Sequence, residues 1–194
     1  GTVRYTQGQY ADTIVCDENG YGESKELYLG NYTVQQQTAP NYYTTMQEDL
    51  NVEVEKKNGE DPELHEIDAE KTKIALSVTD ELNSTGLEGV TFAVSNERTG
   101  ITQTVTTDAA GNVLLTDLDK STTYHIREQQ TLENYRLDNT DYTMTVAADG
   151  RIDGLSTAAL SITNRMLRVS IHAVDMVLRS DTADEKLSLY NAQD

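Results

Sequence analysis

The stretch Ile74-Ala75-Leu76-Ser77-Val78-Thr79-Asp80 alternates apolar residues with small or polar ones and then stops. A period of two marks a half-buried β-strand, because successive side chains face opposite sides of a sheet. Phe92-Ala93-Val94, Val113-Leu114-Leu115, Tyr142-Thr143-Met144-Thr145-Val146 and Leu160-Ser161-Ile162 read the same way. Turn-forming clusters separate them: Asn83-Ser84-Thr85-Gly86, Asn96-Glu97-Arg98-Thr99-Gly100, Asp108-Ala109-Ala110-Gly111 and Asp149-Gly150. Short strands at intervals of about ten residues, with no long amphipathic helix, predict an all-β sandwich.

Composition agrees. Thr, Val and Ile make up about a quarter of the 194 residues, and 11 of the 12 aromatics are Tyr. Such side chains suit pleated, half-buried surfaces. The length fits one large domain or two of about 100 residues. With 33 acidic against 15 basic residues the net charge is −18, which argues against nucleic acid or an anionic membrane as partner. No apolar run approaches the roughly 20 residues of a membrane span, and the N-terminus lacks a charged-then-apolar signal pattern. The chain therefore reads as soluble, a mature fragment or an excised piece. The lone Cys16 excludes an internal disulfide and any multi-cysteine metal site.

An internal repeat divides the chain. Asp17-Glu18-Asn19-Gly20 recurs as Asp108-Ala109-Ala110-Gly111, and Gly30-Asn31-Tyr32-Thr33-Val34-Gln35-Gln36 as Thr122-Thr123-Tyr124-His125-Ile126-Arg127-Glu128. Pro40-Asn41-Tyr42-Tyr43 recurs as Glu133-Asn134-Tyr135, and both tyrosine pairs, 32/124 and 43/135, are 92 residues apart. Two β units of similar size follow, and repetition of this kind points to an array. The acidic stretch Val54 to Lys73, with Glu55-Lys56-Lys57-Asn58-Gly59-Glu60-Asp61-Pro62 as an exposed loop, leads to a boundary near Glu70-Lys71-Thr72. A second boundary falls near Arg165-Met166-Leu167. The expected organisation is residues 1–70, the C-terminal part of one unit; 71–165, a complete unit; and 166–194, the opening strands of a further unit.

These motifs resemble the Cna B-type, prealbumin-like (SpaA-like, Ig-like) domains of Gram-positive surface adhesins and pilin shafts. The alternating strand ending in Asp80 is followed by Leu87-Glu88-Gly89-Val90-Thr91-Phe92, then Thr106-Thr107-Asp108-Ala109-Ala110-Gly111. Tyr124 to Glu128 and Leu132-Glu133-Asn134-Tyr135 come next, matched in the other unit by Tyr32 to Gln36 and Ala39-Pro40-Asn41-Tyr42-Tyr43. The order and spacing, found twice, cover nearly the whole chain. The resemblance implies tandem prealbumin-like β-sandwiches. It also brings a Lys–Asn isopeptide bond into consideration, in which a desolvated Lys attacks an Asn carboxamide polarised by a buried acid. In this sequence Val78 stands at the Lys position, with Glu128 and Asn164 as acid and amide. In the other unit the corresponding positions are Ala173, Gln36 and about Ala69. Lys71 and Lys73 have the parity opposite to Ile74, Leu76 and Val78 and should face outward. Neither unit is expected to be cross-linked.

No residue earns a catalytic role. Asp17-Glu18-Asn19-Gly20-Tyr21-Gly22-Glu23 has the alternating oxygen ligands of a calcium loop, but Asp-x-x-Gly is also a hairpin turn in which Asp caps its own backbone, and the turn is the preferred reading. His65, His125 and His172 share no ligand spacing, and the latter two should sit outward in strands. No Gly-x-Ser-x-Gly elbow occurs. The acid surplus reads as a solvated surface rather than a glycosidase carboxylate pair, and Cys16 beside Val15 as a small buried hydrophobe in a strand. No cofactor or metal is implied.

The leading reading is a non-enzymatic structural repeat of a pilus shaft, fibre or adhesin stalk, on the outside of a Gram-positive-type cell. The alternatives are a ligand-binding adhesin domain, with Tyr42-Tyr43 as candidate patch for a host protein or glycan, and an enzyme's accessory domain. Leu167-Arg168-Val169-Ser170-Ile171-His172-Ala173-Val174-Asp175 repeats the opening strand, and Leu187-Ser188-Leu189-Tyr190 stands where Phe92-Ala93-Val94 stood. Gly1-Thr2-Val3 enters at mid-unit, and joining Asp194 to Gly1 would restore an Asp-Gly turn. The expected partner is thus a neighbouring copy, head to tail, with residues 167–190 completing its first unit. Closure within one chain is not expected: the connection from Arg165 to Arg168 spans about 13 Å, and seven-residue strands make a unit at least about 23 Å long.

Overall fold

The computed structural model describes residues 5–56, 64–183 and 186–189, and every strand in them is short. The expected loop residues 57–62, the entry Gly1 to Val3 and the stretch Tyr190 to Asp194 lie outside the described residues. Nine strands run in order: β1 Gly30–Val34, β2 Leu50–Val54, β3 Lys73–Asp80, β4 Thr91–Asn96, β5 Thr102–Thr106, β6 Asn112–Leu115, β7 Thr122–Gln130, β8 Asp141–Val146 and β9 Thr157–Asn164. The last seven form a sandwich of two sheets, ordered β6-β3-β9 and β5-β4-β7-β8. All pairings are antiparallel except β3 with β9, which run parallel from Lys73↔Thr157 to Asp80↔Asn164.

The period-two pattern explains the core. Ile74, Leu76 and Val78 of β3 point inward with Phe92 and Val94 of β4, Tyr124 and Ile126 of β7, and Ala158 and Ile162 of β9. Phe92, Ile126 and Val78 are completely buried, each stabilising the fold by roughly 1.5–3 kcal/mol relative to an exposed side chain. Four inward stripes end in a polar residue: Asp80, Asn96, Glu128 and Asn164 are all buried. Because β3 and β9 are parallel, Asp80 and Asn164 lie side by side at the same end of the sandwich.

Gly111 shows why the turn after Asp108 needs glycine. Its φ is +78°, and a Cβ there would collide with the Val78 carbonyl oxygen, whose own amide donates to Gly111 O at 2.8 Å. The turn itself is closed by Asp108, whose Oδ1 accepts from the amides of Ala110 and Asn112. Asp17 repeats this geometry, accepting from Asn19 and Tyr21. The Asp17 loop is therefore a self-capped hairpin turn.

The first segment is slighter. β1 and β2 form an antiparallel ribbon, with Gly30 opposite Val54, and Tyr5 packs against the rings of Tyr28 and Tyr32. Two expectations need correction here and at the C-terminal end. Cys16 is exposed and outside any strand, and Val15 beside it is 82% exposed, in a segment whose ends meet where Lys25 N donates to Asp12 Oδ2 at 2.7 Å. His172 lies outside any strand and pairs with Asp181, whereas His125 sits in β7 and meets Asp141. In residues 167–183 the ladder is reduced to a Val174↔Asp181 bridge, and Leu167, Val169, Ile171, Leu187 and Leu189 are exposed.

Candidate functional site

The polar end of the sandwich brings together three positions singled out in the sequence. β7 carries Glu128 and β9 carries Asn164 into the same buried space, where Asn164 Nδ2 lies 3.0 Å from each Glu128 carboxylate oxygen and 2.8 Å from Thr131 Oγ1. Two amide hydrogens thus face three acceptors, while Asn164 Oδ1 is buried without a hydrogen-bond partner among the described residues. Burial pushes the Glu128 carboxyl above its usual range, opposed by hydrogen bonds from Asn164, the Asp138 backbone and Thr131. The carboxyl meets the amide nitrogen and not the carbonyl oxygen, so no donor among the described residues polarises the Asn164 carbonyl. The third position, Val78, is a completely buried hydrocarbon paired with Ile162 one step along the same inward stripe. It offers no nucleophilic atom.

The corresponding positions of the other unit are dispersed in character. Gln36 is half-buried and accepts from the Met46 amide, Ala69 is exposed, and half-buried Ala173 accepts from the Thr182 amide. Lys71 lies off the core: its Nζ is 2.6 Å from Asp117 Oδ1 and 5.8 Å from the centre of the Tyr43 ring. Lys73 is half-buried at the first position of β3, with parity opposite to Ile74.

Next to the buried pair, hydrogen bonds set the state of Asp80. Tyr135 Oη donates to Asp80 Oδ2 at 2.7 Å, and Asp80 Oδ1 accepts from Leu82 and Asn83. These bonds hold the Asp80 carboxyl below its usual range. On the outer face of β7 and β8, Arg127 and then His125 draw Asp141 down to about 2. Among the described residues no group of His, Cys, Asp and Glu could hold a metal ion, and no helix is long and apolar enough to cross a membrane. A groove of about 540 Å³, open to solvent, lies where the two units meet and is lined by Tyr43, Asp68, Ala69, Glu70, Lys71 and Lys73. It contains neither a nucleophile paired with a base nor a converging carboxylate pair.

Sequence reasoning missed the residues that join the units. Lys120 Nζ donates to the Ala39 carbonyl at 3.0 Å, and Arg151 Nη2 donates to the Thr45 carbonyl at 2.6 Å. Their partners are 81 and 106 residues away in sequence, so no local pattern announces them. The repeated Pro40-Asn41-Tyr42-Tyr43 loop is a sequence signal that lies at this contact.

The all-β fold accords with a comparison to known protein families. The sequence pattern of the SpaA prealbumin-like fold domain matches residues 2–68 and again 72–157. Among solved structures, the C-terminal fragment of the pilus adhesin SpaC from Lactobacillus rhamnosus GG is 17% identical, with a TM-score of 0.46 over 77% of this chain and 81% of that one. The Bacillus anthracis TIE protein is 19% identical, with a TM-score of 0.44 over 79% of this chain and 28% of that one. BcpA, the major pilin subunit of Bacillus cereus, is 19% identical, with a TM-score of 0.39 over 50% of this chain and 30% of that one. The chain thus matches less than a third of the length of either Bacillus protein. No curated protein matches it by sequence. The chain belongs to the SpaA prealbumin-like fold domains, which it carries in two tandem segments.

Proposed function

We propose that this chain is a non-enzymatic structural module of a bacterial surface fibre, a pilus shaft or adhesin stalk, in which prealbumin-like units follow one another head to tail. In this reading residues 1–70 close one unit, 71–165 form a complete one, and 166–194 open a further unit by completing the first unit of a neighbouring copy. The work is mechanical: sandwiches joined by short connectors hold a binding tip away from the cell. Neither unit is cross-linked, because Val78 and Ala173 stand where a lysine amine would be needed.

One observation carries the proposal. Asp175 Oδ1 accepts from the amides of Val177 and Leu178, as Asp80 Oδ1 does from Leu82 and Asn83. Arg179 N donates to Asp175 O as Ser84 N does to Asp80 O, and both Arg179 and Ser84 have a φ of 58°. The opening turn of the complete unit is thus formed again 95 residues later. The segment before it, which is not in a strand, exposes Val169 and Ile171, which follow the buried Ile74 and Leu76 by the same 95 residues. A strand with an apolar face seeks a sheet to cover it.

Sedimentation velocity over a concentration series tests this reading. The chain should associate progressively, and Val169→Asp with Ile171→Asp should hold it monomeric. A chain that stays monomeric throughout, or associates equally well with both substitutions, contradicts the proposal.

A further inference from the structure

The connector between the two units is short, and its surroundings are not those of a slack linker. The loop of the first unit pairs directly with the connector: Thr44 N donates to Glu70 O and Thr72 N to Tyr42 O, both at 2.8 Å, around a Tyr43↔Lys71 bridge. The same arrangement recurs after the second unit. There Arg136 N donates to Arg165 O and Leu167 N to Asn134 O, again at 2.8 Å, around a Tyr135↔Met166 bridge. A joint that recurs with the same hydrogen bonds is part of the repeat and not an accident of one loop.

At the first joint the second unit closes over this loop from two sides. From one side, Asn41 Nδ2 donates to Asp119 Oδ1 at 2.6 Å, Lys120 N to Asn41 Oδ1 at 3.3 Å, and Lys120 Nζ to Ala39 O. From the other, Thr45 N donates to Asp149 O at 2.9 Å, and Arg151 holds Thr45 through its carbonyl. Between them Gly150, with φ +85°, packs so closely that a Cβ would come within 2.6 Å of Tyr43 O. Thr72 Oγ1 reaches Gly150 O at 2.5 Å, and both Thr44 and Thr72 are buried. Burial also pushes the Lys120 ammonium below its usual range, opposed by Asp149.

We infer that residues 39–45 are a key seated in a socket formed by Asp119, Lys120, Gly150 and Arg151, which locks the two units into one mechanical body. The socket recognises a turn, closed by Tyr43 N donating to Pro40 O with Tyr42 at φ 74°, that presents the Ala39 and Thr45 carbonyls on either side and a side-chain amide at position 41. Two cations grip those carbonyls, and the amide fixes the register by both donating and accepting. The lock does not depend on whether copies assemble head to tail.

Hydrogen exchange on the intact chain tests the lock. The Thr45 amide should be protected in the unaltered protein. Lys120→Met with Arg151→Met should speed its exchange by about tenfold or more while leaving the Val94 and Ile126 amides of the core unchanged, since local opening is separable from global unfolding. Lys120→Arg, which keeps the cation, should preserve most of the protection. Asn41→Ala, an exposed change on the other partner, should release the Lys120 amide and broaden the distribution of inter-unit distances in small-angle scattering. A Thr45 amide that exchanges as fast as an open loop, or that is indifferent to the double substitution, overturns the inference. So does a loss of protection shared equally by Val94 and Ile126.

Discussion

Ile74 to Asp80 and Val169 to Asp175 carry the same alternation and end in the same aspartate-capped turn, yet their fates differ. Ile74 and Leu76 are 0% and 1% exposed, whereas Val169 and Ile171 are 68% and 62% exposed. The turn needs only an aspartate and the amides two and three residues on, so it forms wherever that local sequence occurs. The strand needs partners. For Ile74 to Asp80 they come from β6 and β9, the latter more than 80 residues away. Local chemistry writes the turn twice, and tertiary pairing completes the strand once.

The largest effect expected from breaking this symmetry lies in the second strand of each set. Phe92→Ala should destabilise the complete unit by about 3–5 kcal/mol, because the vacated core cannot collapse fully. Leu187→Ala, at the matching position 95 residues on, should change monomer stability by less than about 0.5 kcal/mol. Chemical denaturation of the two variants checks the pair. Equal losses would mean that the C-terminal segment is already packed.

The next effect concerns the buried acid Glu128. Burial raises the folded-state pKa of Glu128, so between its unfolded value and that raised value the native state binds more protons than the unfolded one. Stability contributed by this group is therefore full below the unfolded pKa and falls as pH rises through the folded one. Asp80 and Asp141 act oppositely, their contributions being lost as pH falls. Glu128→Gln should remove the downward component and flatten the decline on the alkaline side of about pH 4.3. A pH–stability profile for the variant that parallels the unaltered protein would contradict that assignment. The same unit should show no covalent closure: the intact mass of the denatured chain should equal the sequence mass, and loss of one ammonia would implicate a lysine such as Lys71 or Lys73.

The smallest effect is electrostatic. With a net charge of −18, the chain repels itself at low ionic strength, and added salt should raise the melting temperature by a few degrees. An unchanged melt would show that the acids are dispersed too widely to matter.

Much of the sandwich was legible because its signals are local. Period-two runs gave β3, β4, β8 and β9, and Asp-x-x-Gly marked the turns at Asp17 and Asp108. The pairing of Glu128 with Asn164 was legible only through the family resemblance. What local reading missed depends on pairing. Val15 and Cys16 have the look of a strand, but alternation alone cannot supply the neighbouring strand that would bury them. The grip of Lys120 and Arg151 on a loop about 80 to 106 residues earlier is likewise invisible to any window along the chain.

In the proposed head-to-tail assembly, residues 167–189 are the opening strands of a further unit, completed by another copy. Nuclear Overhauser contacts between differently labelled copies, mixed and assembled, test it most directly. Head-to-tail assembly predicts intermolecular contacts from Val169, Ile171, Leu187 and Leu189 of one copy to residues 5–54 of the other. Contacts from those four side chains only to residues of their own chain, whether 74–164 or 5–54, would contradict it.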